Sequence, residues 1–571
     1  MSLRGSIDEL GSRQAALATV SRYHDGTKHH FHAFARSLGY LDWASQPYPF
    51  RAYAGSVVFP LYPTPGVDAV GYVPRAVTFD QISEHHLVPE PLSAPALGDV
   101  MRHALGLSAW KRLGNARWSL RVNPSSGNLH PTEAYVICRA LTGLADQPAV
   151  YHYAAESHAL ELRSKFDERA WRDVAGEGKD LVLVALTSIH WRESWKYGER
   201  AFRYCEHDLG HAIAALSLAA RLVGWRARLL PAWPHGDIAS AIGIDRDEDF
   251  VEAEREEPGC ILALVPGSMG PAERDVSPSS RLLDAIRGGR WSGQASQLSQ
   301  DHITWSFIDE VTRATEDPGR PDPGRPSPPL TTASAGSRRP LADRGIAARS
   351  LMLQRRSAVA FDGRSTIDRA RFIDILSRVL PGPNAPWNAM WWTPRVHFAI
   401  FVHRVEEVPP GLYLLLRDAR ALDRLQSACR RDFLWDSVDD RVPLFCLARG
   451  DVRSLARRVS CDQDIASDGF FSLGMLADFT ASLDEFGPSF YRHLFWETGV
   501  VGQVLYLEAE AAGARATGIG CFYDDPVHDV LGLRGHTFQS LYHFTLGIPV
   551  EDTRLTTEPG YEWERVSSVA P

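Results

Sequence analysis

The sequence predicts an α+β protein made of two similar α/β sandwich domains in tandem. Two observations predict it: the same order of helices and strands occurs twice, and glycines of the two halves stay in register. The 571 residues suffice for two to four domains of about 150 residues each. Hydrophobic residues make up 44% and charged residues 23% of the chain, which excludes a disordered or fibrous protein.

The repeat is visible without gaps when the front half is shifted by 289 positions. The shift aligns these pairs: Gly198 with Gly487, Arg203 with Arg492, Gly210 with Gly499, Leu218 with Leu507, Gly224 with Gly513, and Gly243 with Gly532. Glycine marks backbone positions that other residues tolerate poorly, so the aligned glycines indicate a duplication. We therefore expect the two copies to pack as an intramolecular pseudo-dimer, as two subunits of a dimer would.

A segment rich in proline and glycine separates the halves. Residues 314–345 read ATEDPGRPDPGRPSPPLTTASAGSRRPLADRG and show no apolar periodicity, which is typical of a linker. The predicted first domain is therefore 1–313, including an N-terminal extension, and the second is 346–571. Residues 57–90 have no assigned role and could form a lid or an extra lobe.

Each half is predicted to contain the same series of elements. Apolar residues with helical spacing predict a helix around Phe372, and its front counterpart begins at a Ser93 cap. The other predicted pairs are strands 135–140 and 396–403, strands 181–188 and 442–448, buried helices 211–223 and 500–512, and closing strands 260–265 and 541–547. The run from Phe471 to Leu476 is predicted to be a buried helix. Helices on a central sheet make an α+β sandwich.

Charge and cysteine usage limit the partners and the compartment. The formal net charge of -9 disfavours general nucleic-acid binding. No apolar run approaches the ~18 residues of a membrane helix, and the first residues lack the apolar core of a signal peptide. Seven cysteines without a CxxC pair indicate neither a disulfide framework nor a zinc finger. We expect a cytoplasmic protein with reduced thiols and without nucleic-acid or membrane partners.

The first motif with chemical content is residues 121–133, RVNPSSGNLHPTE. It places two hydroxyls, a glycine and an amide just before a strand. Backbone N–H groups and small side chains in such a segment can touch a flat polar ring closely. A plain turn is the alternative, because Asn, Pro, Ser and Gly favour turns in any case.

Two further motifs carry charge. Residues 354–363, QRRSAVAFDG, place two arginines and a serine together, which suits a phosphate through bidentate guanidinium contacts. A solvated basic edge is the alternative. Residues 195–204, WKYGERAFRY, place a lysine beside a tyrosine, where burial could lower the lysine pKa and make it a base. An ordinary surface lysine next to an aromatic core residue is the alternative.

Together these motifs resemble the nitroreductase-like flavoproteins, and among them the azoline dehydrogenases of the SagB type. The resemblance covers roughly residues 23–561. In that family two subunits share each FMN. One subunit gives an Arg-x-Ser-x-Arg/Lys segment for the flavin phosphate and ring edge, and the other gives a Pro-Ser-Ser-like loop against the isoalloxazine. A Lys-Tyr pair supports proton removal from the substrate in SagB-type enzymes.

The resemblance implies a role for each matching residue. The implied catalytic pair is Lys196 and Tyr197. The implied cofactor-binding residues are Pro124, Ser125, Ser126, Gly127 and Asn128 against the ring, Gly518, Ile519 and Gly520 near the flavin N5, and Arg355, Arg356, Ser357 and Arg554 at the phosphate. Val359 stands where the family has a second cation, and Asp552 stands where some relatives have a lysine. Phosphate binding is therefore expected to rest on fewer charges, with Arg356 assisting.

The two halves differ at these motifs, and the difference predicts one flavin site. The front counterpart of the Arg-Arg-Ser segment reads ISEHHL, residues 82–87, and the rear counterpart of the loop reads NAMWWTP, residues 388–394. Glu485 and Phe486 stand opposite Lys196 and Tyr197. We expect one FMN at the interface, with its phosphate on the rear half and its ring under the front half, and an inactive mirror site.

The resemblance implies an FMN-dependent oxidoreductase, and in its SagB-like form a dehydrogenase that oxidises azolines. A small-molecule or peptide substrate and a cyclodehydratase partner are implied with it. An NAD(P)H-dependent nitro or quinone reductase and a flavin-free binding or scaffold subunit are the alternatives. A monomeric pseudo-dimer and a homodimer both remain open.

No metal is expected from the sequence. Residues 23–32 contain four histidines, but no neighbouring cysteine or HxxxH pair completes a site. Cys461 is expected to be structural, because nothing near it in sequence supplies a base.

Overall fold

The computed structural model describes residues 3–61, 72–84, 87–176, 180–267, 276–321, 323 and 343–564. Most of the predicted linker lies outside these residues, so the domain boundaries stay predictions. The front half contains α1 (Leu3–Gly26), β1 (Tyr53–Ala54), β2 (Val58–Pro60), α2 (Phe79–Glu84), α3 (Ala94–Ala104), β3 (Leu107–Leu113), β4 (Ala116–Arg121), β5 (Thr132–Cys138), β6 (Ala149–Ala154), β7 (Ala159–Lys165), α4 (Glu168–Ala175), β8 (Val182–Ser188), α5 (His190–Tyr197), α6 (Ala201–Leu222), β9 (Trp225–Leu229), α7 (His235–Ile242), β10 (Glu257–Pro266), α8 (Ser280–Arg287), β11 (Gln294–Ala295) and α9 (Ser306–Ala314).

The rear half repeats much of this series. It contains α10 (Ala348–Gln354), α11 (Arg369–Arg378), β12 (Val396–Val402), β13 (Gly411–Leu415), α12 (Leu422–Ala428), β14 (Asp436–Ser437), β15 (Leu444–Arg449), α13 (Arg453–Val459), α14 (Ile465–Asp468), β16 (Phe471–Asp478), α15 (Phe479–Phe486), α16 (Phe490–Ala511), β17 (Arg515–Ile519), α17 (Asp524–Leu531), β18 (Phe538–Gly547) and β19 (Thr556–Glu558). Helices and sheets are thus mixed in both halves, as the α+β prediction requires.

Each half is built on a seven-stranded antiparallel sheet. The front order is β2-β7-β6-β5-β8-β10-β9 and the rear order is β14-β15-β13-β12-β16-β18-β17. The two orders correspond strand by strand, with β5, β8 and β10 of the front matching β12, β16 and β18 of the rear. The predicted Ser93 cap of α3 is present, because the Ser93 hydroxyl accepts from the Ala96 N–H at 3.3 Å.

The offset of 289 positions extends over whole elements and corrects two predictions. It maps α5, α6 and α7 residue for residue onto α15, α16 and α17, and it maps β8 onto the first seven residues of β16. The counterpart of strand 182–188 is therefore 471–477 rather than 442–448, and residues 471–476 form a strand rather than a helix. Every residue of β16 is buried, so the run is apolar on both faces, and a short run of that kind does not distinguish strand from helix.

Two long helices form the contact between the halves. α6 and α16 have 22 residues each and begin before the predicted starts at 211 and 500. They cross at the aligned glycines: an added Cβ on Gly210 would lie 2.3 Å from the Trp496 carbonyl oxygen, and one on Gly499 would lie 2.2 Å from that of His207. Only glycine permits backbones to approach this closely.

The halves also exchange terminal segments. β19 pairs with β3 of the front half, and the Tyr561 hydroxyl beyond it donates to the Ala155 carbonyl at 2.7 Å. In the other direction, α1 of the front half places the buried His24 against the rear half. The His24 Nε2 and the Gln539 Oε1 form a hydrogen bond of 2.9 Å. The part of 57–90 that the structure describes supplies β2, an edge strand on β7, and the short helix α2. Among the described residues, no helix is both long and apolar enough to cross a membrane.

Candidate functional site

The loop predicted to face a flat ring lies between β4 and β5. Gly127 and Asn128 both adopt the left-handed conformation, each with φ of 60°. The Asn128 side-chain amide donates to the Ser119 carbonyl at 2.9 Å, and the His130 N–H donates to the Ser125 hydroxyl at 2.7 Å. The loop is therefore a turn held by hydrogen bonds. This geometry is compatible with the predicted contact between its backbone and a flat ring.

Two buried carboxyl groups hold this loop from below. Asp208 of α6 accepts from the Ser126 N–H at 3.1 Å, and the Ser125 hydroxyl donates to Glu193 of α5 at 3.4 Å. Burial raises the pKa of Asp208 to about 7. Burial and the charge of Asp208 raise the pKa of Glu193 well above its ordinary value. The pair therefore retains a proton near neutral pH.

The change Asp208→Asn is expected to stabilise the protein at pH 8. The folded-state pKa of Asp208 lies above the unfolded value of about 3.9, so the folded chain binds more protons between the two. The free energy of unfolding therefore falls as pH rises from about 4 to 7. Asparagine keeps the acceptor for Ser126 and removes the charge, so we expect a gain of about 1–3 kcal/mol at pH 8.

Urea unfolding of both proteins at pH 4 and pH 8 checks this. The two proteins should differ little at pH 4, and the exposed Asp432→Asn should show no such pH dependence. A wild-type protein more stable than the variant at pH 8 would contradict the assignment.

The predicted catalytic pair lies against the same loop. An added Cβ on Gly127 would lie 2.5 Å from the Tyr197 hydroxyl and 3.2 Å from the Lys196 Nζ. Lys196 is exposed, so of the two readings of this motif the structure agrees with the surface lysine rather than the buried one. Burial and the charge of Glu193 raise the pKa of Tyr197 well above its ordinary value, which keeps the phenol protonated at neutral pH.

Arg355 connects the rear half to this loop. It follows α10 and is buried, with its guanidinium 5.0 Å from the ring centre of Tyr506. Its Nη2 donates to the Arg121 carbonyl at 3.0 Å and its Nε donates to the Val122 carbonyl at 3.1 Å. These carbonyls precede the ring loop directly, so the predicted phosphate segment and the predicted ring loop meet across the halves.

The glycine-rich stretch of β17 lies on the other side of Tyr506. The Tyr506 hydroxyl shares a hydrogen bond of 2.9 Å with Ser357 and accepts from the Gly518 N–H at 2.9 Å. An added Cβ would lie 2.0 Å from the Tyr542 hydroxyl at Gly518, and 2.4 Å from the Tyr204 ring at Gly520. Larger residues at these two positions therefore clash with the tyrosines.

Further cations, and the carboxylates Glu510 and Glu551, lie near Arg356, which precedes the exposed Ser357. Burial, then the charges of Arg355 and Arg515, lower the pKa of Arg356 to about 10. Burial and the charge of Arg356 lower the pKa of Lys111. Sequence reasoning missed Lys111 and Arg515, because they lie on β3 and β17 and show no pattern with Arg356 along the chain.

Arg554 stands apart from this cluster. It is exposed and donates to both carboxylate oxygens of Asp552, at 2.9 and 2.7 Å. Among the described residues we find no hydrogen bond from Arg554 to Ser357 or Arg355. Its role at the phosphate stays a prediction, as do the cofactor and catalytic roles of the other residues above.

The mirror cleft on the opposite side is filled. Leu229 and Pro231 occupy the positions that correspond to Gly518 and Gly520, and Trp391 stands in the counterpart of the ring loop. The remaining cavity is about 20 Å³, room for one water molecule. Phe486, the counterpart of Tyr197, packs on Trp391 with ring centres 5.6 Å apart.

Comparison with known proteins gives this geometry a family context. Residues 83–254 match the nitroreductase family. A Methanocaldococcus jannaschii protein provisionally named a nitroreductase is 30% identical over 108 residues, which is 18% of this chain and 52% of the relative. The chain thus spans about half the length of the curated relative it matches.

Solved structures extend the likeness in fold. An Anabaena variabilis protein provisionally named a nitroreductase superposes with a TM-score of 0.65 at 20% identity, over 93% of this chain and 99% of that one. A second such protein, from Ralstonia eutropha, gives a TM-score of 0.26 at 15% identity, over 38% of this chain and 96% of its own. The Anabaena protein shares the fold along most of the chain.

Proposed function

We propose that the chain is an FMN-dependent oxidoreductase with one flavin site shared between its halves. The observation that carries the proposal is the pair of hydrogen bonds from Arg355 to the carbonyls of Arg121 and Val122. They join a basic segment of the rear half to the root of the Ser125 loop of the front half. The family match over 83–254 contains that loop and supports the reaction class.

The donor set suits the two ends of FMN. Ser357 offers an exposed hydroxyl beside Arg355, Arg356 and Arg515, and phosphate binds well to guanidinium forks and hydroxyls. Glycine at 518 places no side chain on β17 at this point, and its N–H donates to the Tyr506 hydroxyl at 2.9 Å. We assign the phosphate end to the first group, and the ring to the region between β17 and the Ser125 loop where Tyr197 and Tyr204 lie with ring centres 4.6 Å apart.

Bound FMN supplies the hydride chemistry, and the chain supplies binding, orientation and proton transfer. We assign proton removal from the substrate to the Lys196 amine; because this amine is exposed, the assignment requires a bound substrate to cover it and favour its neutral form. The Tyr197 phenol, which stays protonated because its pKa is raised, is assigned to hydrogen-bond donation. Asp208 and Glu193 hold the Ser125 loop, against which Lys196 and Tyr197 lie, through their hydrogen bonds to Ser126 and Ser125.

We propose an azoline as substrate, as in SagB-type dehydrogenases. Aromatisation of a thiazoline or oxazoline ring requires loss of a ring proton, which is a task for a dedicated base such as Lys196. An azoline within a peptide would make a peptide-processing cyclodehydratase a partner. Reduction of nitro compounds or quinones needs no such base, so the dependence on Lys196 separates the two reactions.

Titration of the flavin-stripped protein with FMN tests the shared site. We expect one FMN per chain, and an affinity about 10- to 100-fold weaker in Ser357→Ala and Arg355→Met, because each loses a charge-assisted contact. Arg364→Met, an exposed arginine of the same half, is the matched control. Two flavins per chain would contradict the single site, and a protein that takes up no FMN would point to a scaffold subunit.

A further inference from the structure

We infer a binding site for a soft divalent metal such as Zn²⁺, formed by His29, Cys461 and Cys521. The Cys461 and Cys521 sulfurs lie 2.8 Å apart, and the His29 Nδ1 lies 3.7 Å from the Cys521 sulfur. All three ligand atoms lie within 4.8 Å of one another. The sequence shows no cysteine neighbouring the histidine cluster, but the fold brings two cysteines from the rear half to His29.

Three segments that are distant in sequence converge at this site. His29 follows α1, Cys461 follows α13, and Cys521 lies between β17 and α17. Chance proximity of one thiol to a histidine is common. Two thiols and an imidazole that arrive from separate elements make a ligand set.

Independent hydrogen bonds hold the backbone of each ligand. The Gln463 side-chain amide donates to the Cys521 carbonyl at 2.9 Å and to the Ser460 carbonyl at 2.8 Å, which ties the two cysteine turns together. The His29 N–H donates to Asp524 at 2.9 Å. Cys461 has φ of 54°, a left-handed conformation that residues other than glycine rarely adopt and that is concentrated at functional sites.

The ligand atoms select the metal. Two sulfurs and one imidazole nitrogen suit Zn²⁺, whereas Mg²⁺ and Ca²⁺ prefer oxygen. With Zn–S near 2.3 Å and Zn–N near 2.1 Å, ligand atoms of a tetrahedral site lie roughly 3.5–3.8 Å apart. The His29–Cys521 distance already fits, and the two sulfurs need to separate by about 1 Å. Three protein ligands leave one position for water or a small ligand.

Aromatic rings and charges surround the site. The ring of Phe34 lies edge-on to His29 with centres 5.0 Å apart, and Phe31 packs on Tyr523 at 4.8 Å. Arg200 donates to the Gly520 carbonyl at 3.2 Å, and its charge is compensated by Asp524. A Zn²⁺ with two thiolates and one imidazole is neutral, so it adds no net charge to this partly closed environment.

Metal analysis of the full-length protein, stripped of flavin and purified under reducing conditions without chelator, tests the site. We expect about one Zn²⁺ per chain, falling below about a tenth in Cys461→Ser and in Cys521→Ser and strongly reduced in His29→Gln. Cys429→Ala, a buried cysteine elsewhere in the rear half, is the control and should keep its zinc. Loading with Co²⁺ should give a near-ultraviolet thiolate-to-cobalt band that both serine variants lose.

Three results would overturn the inference. They are a metal-free protein that does not bind added Zn²⁺, a Cys461–Cys521 disulfide that forms without metal under the same reducing conditions, and zinc that remains in the double serine variant. None of these measurements depends on FMN, so the site can fail while the proposed function stands, and the reverse.

Discussion

Replacement of Asp524 by alanine is expected to lower the free energy of unfolding by about 3–5 kcal/mol. Asp524 is fully buried at the start of α17 in the rear half. It accepts from Arg200 at 2.9 Å and from Arg203 at 2.8 Å, and both arginines belong to the front half and are buried. Without the carboxylate, two guanidinium charges remain buried at the contact between the halves.

Urea unfolding at pH 7 measures this loss, and Asp432→Ala is the matched control. Asp432 pairs with Arg430 at 2.9 Å, but both side chains are exposed, so its removal should cost far less than the removal of Asp524. Similar losses of unfolding free energy in the two variants would contradict the claim that burial of the charged groups makes the Asp524 pair the more important one.

The pH dependence of the same pair has a defined sign. Burial alone would raise the pKa of Asp524, but the charges of Arg200 and Arg203 outweigh it and hold that pKa well below its ordinary value. The stabilisation is therefore present above the unfolded pKa of about 3.9 and is lost as pH falls below it. The difference between wild type and Asp524→Ala should narrow below about pH 4.

Replacement of Lys196 by alanine is expected to lower azoline oxidation by about 10²- to 10⁴-fold without loss of bound FMN. This expectation rests on the proposed function. Lys196 is exposed and lies beside Gly127 and Tyr197, so its removal takes away the assigned base without disturbing a buried contact. The rate is measured with a small thiazoline, and FMN content by absorbance.

Two comparisons sharpen the result. Lys165→Ala, which loses only a peripheral pair with Asp146, should keep full activity. Quinone reduction by NAD(P)H that survives in Lys196→Ala while azoline oxidation is lost would agree with the proposal. Unchanged azoline oxidation would remove the lysine from the mechanism, and loss of flavin would move it to cofactor binding.

Sequence reasoning located the elements whose residues carry a strong local pattern. The buried helices α6 and α16 and their aligned glycines were visible because burial on every side leaves an apolar run, and because the backbone contact requires glycine. The sequence predicts a helix where β16 forms and pairs β15 with the wrong strand of the front half, because a fully buried strand shows no alternation of polar and apolar residues. The offset of 289 pairs residues 471–477 with β8. It therefore predicts the counterpart of β8 correctly, where the local sequence pattern does not.

The candidate site was predictable only where it follows contiguous motifs. The loop around Ser125 and the Arg355 segment could be read from consecutive residues. The carboxyl pair beneath the loop, the cations of β3 and β17, and the three proposed metal ligands come together only through folding. Single residues far apart in the chain leave no spacing signal, so no pattern search along the sequence finds them.

The pairing of β19 with β3 has a consequence for how the chain matures. β19, the strand that covers this edge of β3, is translated long after β3. Until β19 is made, the N–H and C=O groups along this edge of β3 are unpaired. Exposed strand edges invite pairing with other chains. A front half produced alone would therefore expose the unpaired edge of β3. We expect it to associate with copies of itself unless the missing strand is added back as a peptide.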